Sequence, residues 1–298
     1  MEQVVTQTQA RLGGRALRAA VIAPGRGEVI AACGRAVAAG LIAPAVIGDF
    51  RQIARAEADA GCTLGGIRRV EAATAEEAAR TAARMAAAGE IDLVIRGGDA
   101  PDILRVLLAE GAGLVRPGGT AAHVAMIKPE KYARAFLLTD ALAHPQPDLK
   151  LKAALIETLV RVGRRVGIET PRVAVLAAVE VVYPQMPVTL EAAVLSKMAE
   201  RGQIKGAHVD GPLSFDCAVD PAAAESKGIR NSAVAGRADA MLAPNIETAQ
   251  GVYKAMALCG RAQMGGVLVG GRVPVAMPLA GDGADTVFYS IVLACAVG

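Results

Sequence analysis

Short apolar segments alternate with longer segments of helical composition through the first ninety residues, and this alternation constrains the fold more than any other feature. In the third pair, Thr74 and Glu77 stand at the spacing of a capping box. The three pairs, each a strand then a helix, are residues 19–24 and 28–39, 45–48 and 50–60, and 66–70 and 74–88. Such pairs build a parallel sheet with helices on both faces, so the sequence predicts an α/β fold.

A second α/β pattern begins near residue 172, after two connecting strands and a long amphipathic helix. The predicted strands are 92–95, 118–128, 134–139, 172–177, 207–209, 240–243, 266–269 and 273–277. The predicted helices begin near residue 102 and cover 149–166, 190–201, 247–262 and 285–297. We expect two domains, the first formed by residues 1–128 with 271–298 and the second by residues 129–270.

Composition excludes several classes of partner. The chain has 298 residues, a net charge of +3, 3% aromatic residues and no Trp, and no basic cluster is interleaved with aromatic residues. A nucleic-acid surface is therefore not indicated, and a small-molecule partner is expected.

The five cysteines are scattered without CxxC spacing, as in reduced cytoplasmic proteins. With neither a signal-peptide pattern nor a long apolar run, we expect a cytoplasmic chain without a membrane partner.

The residues after the predicted strand 92–95 suit an anion. Arg96 is followed by Gly97 and Gly98 and then by a helix that carries Arg105. Forked guanidinium donors, glycines that permit close approach and a helix N-terminus all favour a phosphate group. The turn at residues 24–27 could also cradle a phosphate, but it lacks a GxGxxG or P-loop pattern, and an ordinary strand-to-helix turn is favoured there.

Residues 209–236 hold several polar groups without a long apolar run, which is unusual for a segment that only builds a core. Gly211 and Pro212 predict that the strand ends there, which would place Asp210 at a strand end, where α/β sheets bind ligands. Asp216, Lys227 and Gly228 follow. The alternative is that the two acids cap turns or helices.

Three further positions stay open on the residues alone. His123 lies in a predicted apolar strand, where a structural histidine is the usual case although the side chain titrates near neutral pH. Glu180 follows the strand 172–177 and either faces a cleft or lies on a solvated loop. No HxH, HExxH or histidine–carboxylate cluster occurs, so no bound metal is expected.

An ordered series of motifs resembles the phosphate acetyltransferase and phosphate butyryltransferase family, closest to its butyryl branch. DGPLxxDxAxxxxxAxxKG spans residues 210–228, VAGxAD spans 234–239, and Pro244 and the pair Tyr253-Lys254 follow. The likeness continues upstream through residues 139–153 and 176–206 and is weakest in the first ninety residues.

The resemblance implies reversible transfer of a short acyl group between CoA and inorganic phosphate. It implies two three-layer α/β/α domains with an active-site cleft between them, a homodimer, and no cofactor beyond the substrates acyl-CoA and phosphate. A carboxylate would act as base, Asp285 first and Asp282 second, and Arg96 and Arg105 would hold phosphate. The expected cleft residues are Asp210, Gly211, Pro212, Asp216, Lys227, Gly228, Tyr253, Lys254 and His123.

The chain departs from the family pattern at two places. The loop after Arg96 is one residue shorter than the family's Lys-Gly loop and lacks its Thr, and a Ser-Arg pair near the C-terminus is replaced by Leu279-Ala280. A catalytically weakened homologue that binds acyl-CoA or another anionic metabolite is therefore an alternative. A metal-dependent decarboxylating dehydrogenase, with Asp210, Asp216 and Asp239 around a cation, is a less favoured one because no dinucleotide fingerprint is present.

Overall fold

The computed structural model describes residues 1–109, 113–115 and 118–298. The strands are β1 Leu17–Ile22, β2 Ile42–Gly48, β3 Arg68–Glu71, β4 Leu93–Arg96, β5 Ala122–Lys128, β6 Phe136–Thr139, β7 Arg172–Leu176, β8 His208–Leu213, β9 Ala240–Leu242, β10 Gln263–Val269 and β11 Val275–Ala276. The helices are α1 Glu2–Leu12, α2 Gly27–Ala38, α3 Phe50–Ala60, α4 Ala75–Ala87, α5 Pro101–Leu108, α6 Leu149–Arg165, α7 Pro187–Glu200, α8 Phe215–Val219, α9 Pro221–Ser226, α10 Ile246–Leu258 and α11 Ala284–Val297.

The chain divides into two compact units. The first comprises Met1–Ala121 with Gln263–Gly298, and the second comprises Ala122–Ala262. The first unit thus takes in β10, which the sequence had assigned to the second domain. The α/β class with mostly parallel pairing agrees with the prediction from the alternating pattern.

In the first unit the strand order is β3-β2-β1-β4-β11-β10. All neighbours pair in parallel except β10 and β11. Ile22 at the end of β1 pairs with Arg96 at the end of β4, and Ile95 pairs with Ala276 of β11. The carboxyl ends of these three neighbouring strands therefore lie side by side at one edge of the sheet.

Helix starts in the first unit fall into two groups. Asp49 caps α3 and Thr74 caps α4 through their side chains, and the Thr74 bond from the Glu77 amide confirms that half of the predicted capping box. The N-caps of α2, α5 and α11 are Arg26, Ala100 and Gly283, none of which makes a side-chain cap bond. These three helices follow β1, β4 and β11, so their first amide groups lie at the edge just described.

In the second unit the strand order is β5-β6-β9-β7-β8, with β5 and β6 antiparallel and the other neighbours parallel. The expectation that Gly211 and Pro212 end the strand after residue 209 is wrong, because β8 continues to Leu213. Since β8 lies at the edge of this unit's strand order, Pro212 removes no amide that a further strand needs. A Cβ on Gly211 would lie 2.8 Å from the Val175 carbonyl oxygen, so glycine permits the close approach to β7.

Aliphatic and alanine side chains fill both interiors, as the composition indicates. The apolar helix α11 has ten consecutive buried residues, from Val287 to Ala296, which explains its apolar character around the whole circumference. No helix in the described part of the chain is long and apolar enough to cross a membrane.

Candidate active site

Arg96, the last residue of β4, is a buried guanidinium at the carboxyl edge of the first unit. Only 8% of the residue is exposed. Its Nε donates to the Gly98 carbonyl oxygen at 2.9 Å, its Nη1 donates to the Pro278 carbonyl oxygen at 3.3 Å, and its Nη2 lies 3.7 Å from an Asp99 carboxylate oxygen. Burial lowers the pKa of this guanidinium, and the positive charge of Arg26 adds to that effect while Asp99 and Asp282 oppose it. The sequence's first phosphate-binding candidate is thus held rigidly at a strand end.

The two glycines after Arg96 have a packing reason as well as the predicted one. A Cβ on Gly97 would lie 2.6 Å from the Ile22 carbonyl oxygen and 2.8 Å from Pro24 Cα. A Cβ on Gly98 would lie 3.0 Å from the Ala23 carbonyl oxygen. Backbone atoms of the loop between β1 and α2 therefore occupy the space that a larger residue would need.

That loop carries Arg26, which the sequence did not favour as a site residue. Arg26 Nη1 donates to an Asp99 carboxylate oxygen at 3.0 Å, and its Nη2 donates to the Asp282 carbonyl oxygen. A weaker contact joins its Nε to Glu28 at 3.6 Å. Arg26 thus links the loops that follow three neighbouring strands.

Asp282 lies in the loop between β11 and α11 and is 7% exposed. Its Oδ2 accepts a hydrogen bond from the Leu279 amide at 2.8 Å. Together with Arg26, Arg96 and Asp99 it forms what we call the strand-end cluster. The starts of α2, α5 and α11, none of which has a side-chain cap bond, add partial positive charge at this edge. Two guanidinium groups and three helix starts make it suited to an anion.

Two predicted site residues of the first unit have their contacts elsewhere. Arg105 is 60% exposed and pairs with Asp102 and Glu76, each at 3.2 Å. Asp285, on the first turn of α11, forms an ion pair with Arg35 of α2 and has a side chain that is 81% exposed. The structure therefore brings Asp282, the second choice of base, to Arg96 and leaves Asp285 in a contact between two helices.

In the second unit four polar side chains meet at the carboxyl ends of β7 and β8, and we call them the lysine cluster. They are Glu180, Ser214, Asp216 and Lys227. Ser214 Oγ contacts both Glu180 and Asp216, and its single hydroxyl hydrogen is shared between the two carboxylates. Lys227 Nζ lies 3.0 Å from Glu180 Oε1, 3.0 Å from Ser214 Oγ and 3.0 Å from Asp216 Oδ2. Glu180, which the sequence left open between a cleft and a solvated loop, belongs to this cluster, and a place in a cleft stays a prediction.

Hydrogen bonds set the protonation of the lysine cluster. Bonds from Ser214 and then from Lys227 lower the pKa of Asp216 to about 2. Burial raises the pKa of Glu180, but the bonds from Ser214 and Lys227 outweigh it and the net pKa is lowered. Bonds to Glu180 and Asp216 raise the pKa of Lys227. The two carboxylates and the ammonium group are therefore all charged near neutral pH.

The remaining predicted residues of the motif 210–228 hold the backbone in place. Asp210 accepts from the Gly211 amide at 2.8 Å and from the Ser232 hydroxyl, whose oxygen in turn accepts from the Val234 amide at 3.0 Å. Gly228 donates its amide to the Glu225 carbonyl oxygen at 2.9 Å and closes α9 directly after Lys227. The motif thus anchors one loop and positions the lysine.

Three predicted residues lie around α10 rather than in the lysine cluster. His123 and Tyr253 are both fully buried, with ring centroids 6.5 Å apart in an edge-on arrangement. Lys254 lies with its Nζ 5.5 Å from the Tyr253 ring centroid. The structure accordingly assigns His123 and Tyr253 to the interior of the second unit.

Comparison with known proteins decides the family. A family model described as "Phosphate acetyl/butaryl transferase" matches residues 68–295. Phosphate butyryltransferase of Clostridium acetobutylicum is 40% identical over 253 residues, covering 85% of this chain and 83% of that protein. The chain belongs to the phosphate acetyl/butyryl transferase family. The resemblance carried by the motifs at residues 210–254 is confirmed, and with it the class of enzyme, a phosphate acyltransferase.

Two further known proteins are similar to this chain. Phosphate acetyltransferase of Thermotoga maritima is 43% identical over 219 residues, covering 73% of this chain and 74% of that protein. A branched-chain phosphotransacylase from Enterococcus faecalis, whose crystal structure is known, shares the fold with a TM-score of 0.79 at 24% identity. That match covers 94% of this chain and 98% of the other.

A metal site in this transferase was not expected from the sequence. Among the described residues, Glu180, Asp216 and Cys217 are close enough to hold an ion together. The ammonium group of Lys227 already bonds to both carboxylates, so a metal ion would have to displace it. Burial also raises the pKa of Cys217, which disfavours the thiolate that a metal needs.

Sequence reasoning missed the contributions of Arg26, Asp99 and Ser214 to the two clusters. Ser214 lies inside the motif 210–228, so its position between two acids, Asp210 and Asp216, was a usable signal. Arg26 lies in a turn that carries no family motif, Asp99 lies in the loop where the chain departs from the family's Lys-Gly loop, and only the strand order brings the two together.

Proposed function

We propose that the protein catalyses reversible transfer of a short acyl group between CoA and inorganic phosphate, with phosphate bound at the strand-end cluster. The observation that carries this proposal is the buried guanidinium of Arg96, held at the carboxyl edge of a parallel sheet beside three helix starts without side-chain caps. Phosphate oxygens match forked donors and the positive ends of helices, which supports this edge as the phosphate site.

In the direction of acyl phosphate synthesis, a phosphate oxygen attacks the thioester carbonyl carbon. The C–S bond breaks, the CoA sulfur leaves with the bonding electrons, and it takes up a proton as the free thiol. No covalent enzyme intermediate is needed, because binding both substrates together supplies the orientation. In the reverse direction a carboxylate accepts the thiol proton, which makes the sulfur nucleophilic.

Asp282 is our first candidate for that carboxylate, and Asp285 is the second. This order reverses the one taken from the resemblance. Asp282 is supported by its burial and by its place in the strand-end cluster, where the charges of Arg96 and Asp282 interact. Asp285 is already engaged with Arg35. We propose Arg105 only as a peripheral contributor because its mostly exposed side chain contacts Asp102 and Glu76, outside the strand-end cluster.

For the second unit we propose that Lys227 and Lys254 contact the anionic groups of acyl-CoA. The lysine cluster supports this role because Glu180 and Asp216 hold the Lys227 ammonium group in a fixed position. Asp210 then has an indirect role, because it bonds to Ser232 and so positions that loop. Asp216 has an indirect role because it bonds to Lys227 and so positions the lysine.

A binding protein without catalysis is the alternative, and the pair Leu279-Ala280 favours it. Leu279 is buried, and neither side chain can donate a hydrogen bond to a developing oxyanion. Such a protein would bind acyl-CoA and release no CoA.

The test is CoA release from acetyl-, propionyl- and butyryl-CoA, with and without phosphate, followed with a thiol reagent. Phosphate-dependent release supports the transferase, and the preferred chain names the substrate. Arg96→Gln should lose most of this activity, whereas Arg68→Gln should keep it because Arg68 is an exposed residue paired with Glu90. A melting temperature raised by acyl-CoA without any release would support the alternative.

Two coarser expectations complete the proposal. We propose a homodimer, which sedimentation of the purified protein tests directly. We also propose a reducing, cytoplasmic setting, supported by five cysteines that are all free thiols.

A further inference from the structure

Arg26 contacts the loop in which this chain has Leu279-Ala280 in place of the family's Ser-Arg pair. The resemblance calls for a Ser-Arg pair at the positions of Leu279 and Ala280, and both residues here are apolar. Arg26 donates to the Asp282 carbonyl oxygen in that same loop, although it comes from the opposite end of the chain. The guanidinium of Arg26 therefore lies at this loop, although it does not come from the loop's own sequence.

The position of Arg26 is determined by its backbone. Ala23 has a positive φ of 47°, a conformation that residues with a side chain rarely adopt. The Ala23 amide donates to the Ile47 carbonyl oxygen at 2.8 Å, and the Gly97 amide donates to the Ile22 carbonyl oxygen at 2.9 Å. Bonds on both sides thus hold the strained loop, and Arg26 projects from it with only a quarter of its side chain exposed.

Arg26 does not serve the helix that it begins. It is the N-cap residue of α2 but makes no side-chain cap bond, and an arginine has no acceptor with which to cap a helix start. Its donors are instead directed to Asp99 and to the loop after β11.

Asp99 lies between the two guanidinium groups. One of its oxygens is 3.0 Å from Arg26 and the other is 3.7 Å from Arg96. Two guanidinium groups here share one carboxylate. A phosphate group has more oxygens and more negative charge than a carboxylate, so forked donors on both sides could bind it in the same place.

We propose that Arg26 binds the phosphate or acyl phosphate group together with Arg96 and so replaces the missing arginine of the Ser-Arg pair. Asp99 holds the two guanidinium groups beside each other until the anion displaces its carboxylate. This inference rests on the proposed function, since it assigns a residue to the phosphate site of that reaction.

The main test compares Arg26→Gln with Arg68→Gln in the CoA-release assay. Arg26→Gln should raise KM for phosphate roughly 10- to 100-fold, the effect of one hydrogen bond between charged groups. KM for acyl-CoA should stay within about twofold, because the change removes a contact to phosphate only. Arg68→Gln should match the wild type in both constants.

Adding Ala280→Arg to Arg26→Gln tests the replacement itself. Ala280 is exposed, so an arginine there has room. If Arg26 stands in for the missing group, the double variant should recover much of the lost affinity for phosphate, which a merely structural role of Arg26 would not predict. A double variant as impaired as Arg26→Gln would overturn the replacement.

Asp99→Asn gives a second measurement that does not remove an arginine. It should lower KM for phosphate by roughly two- to fivefold, because the competing charge of a partly exposed ion pair is gone. An unchanged or higher KM would count against the place-holding role of Asp99.

The outcomes separate this inference from the proposed function. A wild-type protein that releases CoA with phosphate, together with an Arg26→Gln variant of unchanged phosphate KM, overturns the inference alone. If the wild type releases no CoA, inorganic phosphate should still raise its melting temperature and fail to raise that of Arg26→Gln. Equal shifts, or no shift in either protein, would overturn the assignment of Arg26.

Discussion

Gly97→Ala separates two explanations of the glycines after Arg96. If Gly97 is needed only for the approach of phosphate, the alanine variant should keep its stability and bind phosphate more weakly. The structure predicts a loss of stability in the absence of any ligand, because the added methyl group would meet the backbone of the loop between β1 and α2.

The magnitude follows from three distances. The methyl carbon would lie 2.6 Å from the Ile22 carbonyl oxygen, 2.8 Å from Pro24 Cα and 2.9 Å from Pro24 N. Ordinary contacts are about 3.5–4.0 Å, so the loop or β4 would have to move by roughly 1 Å. Overpacking of this kind destabilises by about 1–3 kcal/mol. The melting temperature should fall by about 2–4 °C for each kcal/mol.

Gly34→Ala is the matched control, since it adds the same methyl group to the interior of α2. Apart from its chain neighbours and the backbone of its own helix, no atom lies within 4 Å of the position that its Cβ would take. Alanine is the better helix former, so this variant should gain roughly 0.5–1 kcal/mol. Urea and thermal unfolding followed by circular dichroism measure both variants. A Gly97→Ala protein as stable as the wild type would refute the packing argument.

Two further predictions concern protonation. Stability from the depressed pKa of Asp216 is complete above about pH 4 and is lost as the pH falls towards 2. Lys227→Met should raise that pKa, so acid unfolding should begin at a higher pH than in the exposed-residue control Lys205→Met, and coincident curves would contradict this. Burial raises the pKa of Cys33 and Cys295 to about 12, so a thiol reagent should modify the exposed Cys259 first in the native protein, which peptide mapping would show.

Local patterns in the sequence predict much of the fold. The helix 50–60 is found with the predicted bounds, because Asp49 caps it and its apolar residues recur with the period of an α-helix. By contrast, the continuation of β8 through Pro212 depends on its place at the edge of the strand order, which no local pattern records. Helix α1 was not predicted, since its buried face consists of only Val4, Val5 and Thr8.

The candidate site was likewise predictable only where the evidence is local in sequence. Arg96 was found because a strand, two glycines and a helix follow one another within a few residues. Its bond to Pro278 spans 182 positions, and the bond from Arg26 to Asp282 spans 256, so neither neighbour could be chosen from spacing. Arg105 has the right spacing on α5, but its side chain lies towards α4 and its acids.

The return of Gln263–Gly298 to the first unit has a consequence for biosynthesis. The residues of the second unit, Ala122–Ala262, are synthesised before β11, so β4 lacks this neighbour until that whole unit has been made. The contiguous unit can then finish folding ahead of the one that began first. During that interval the apolar surface destined for α11 is open to solvent, and a nascent chain stalled before residue 263 would be a natural client for chaperones.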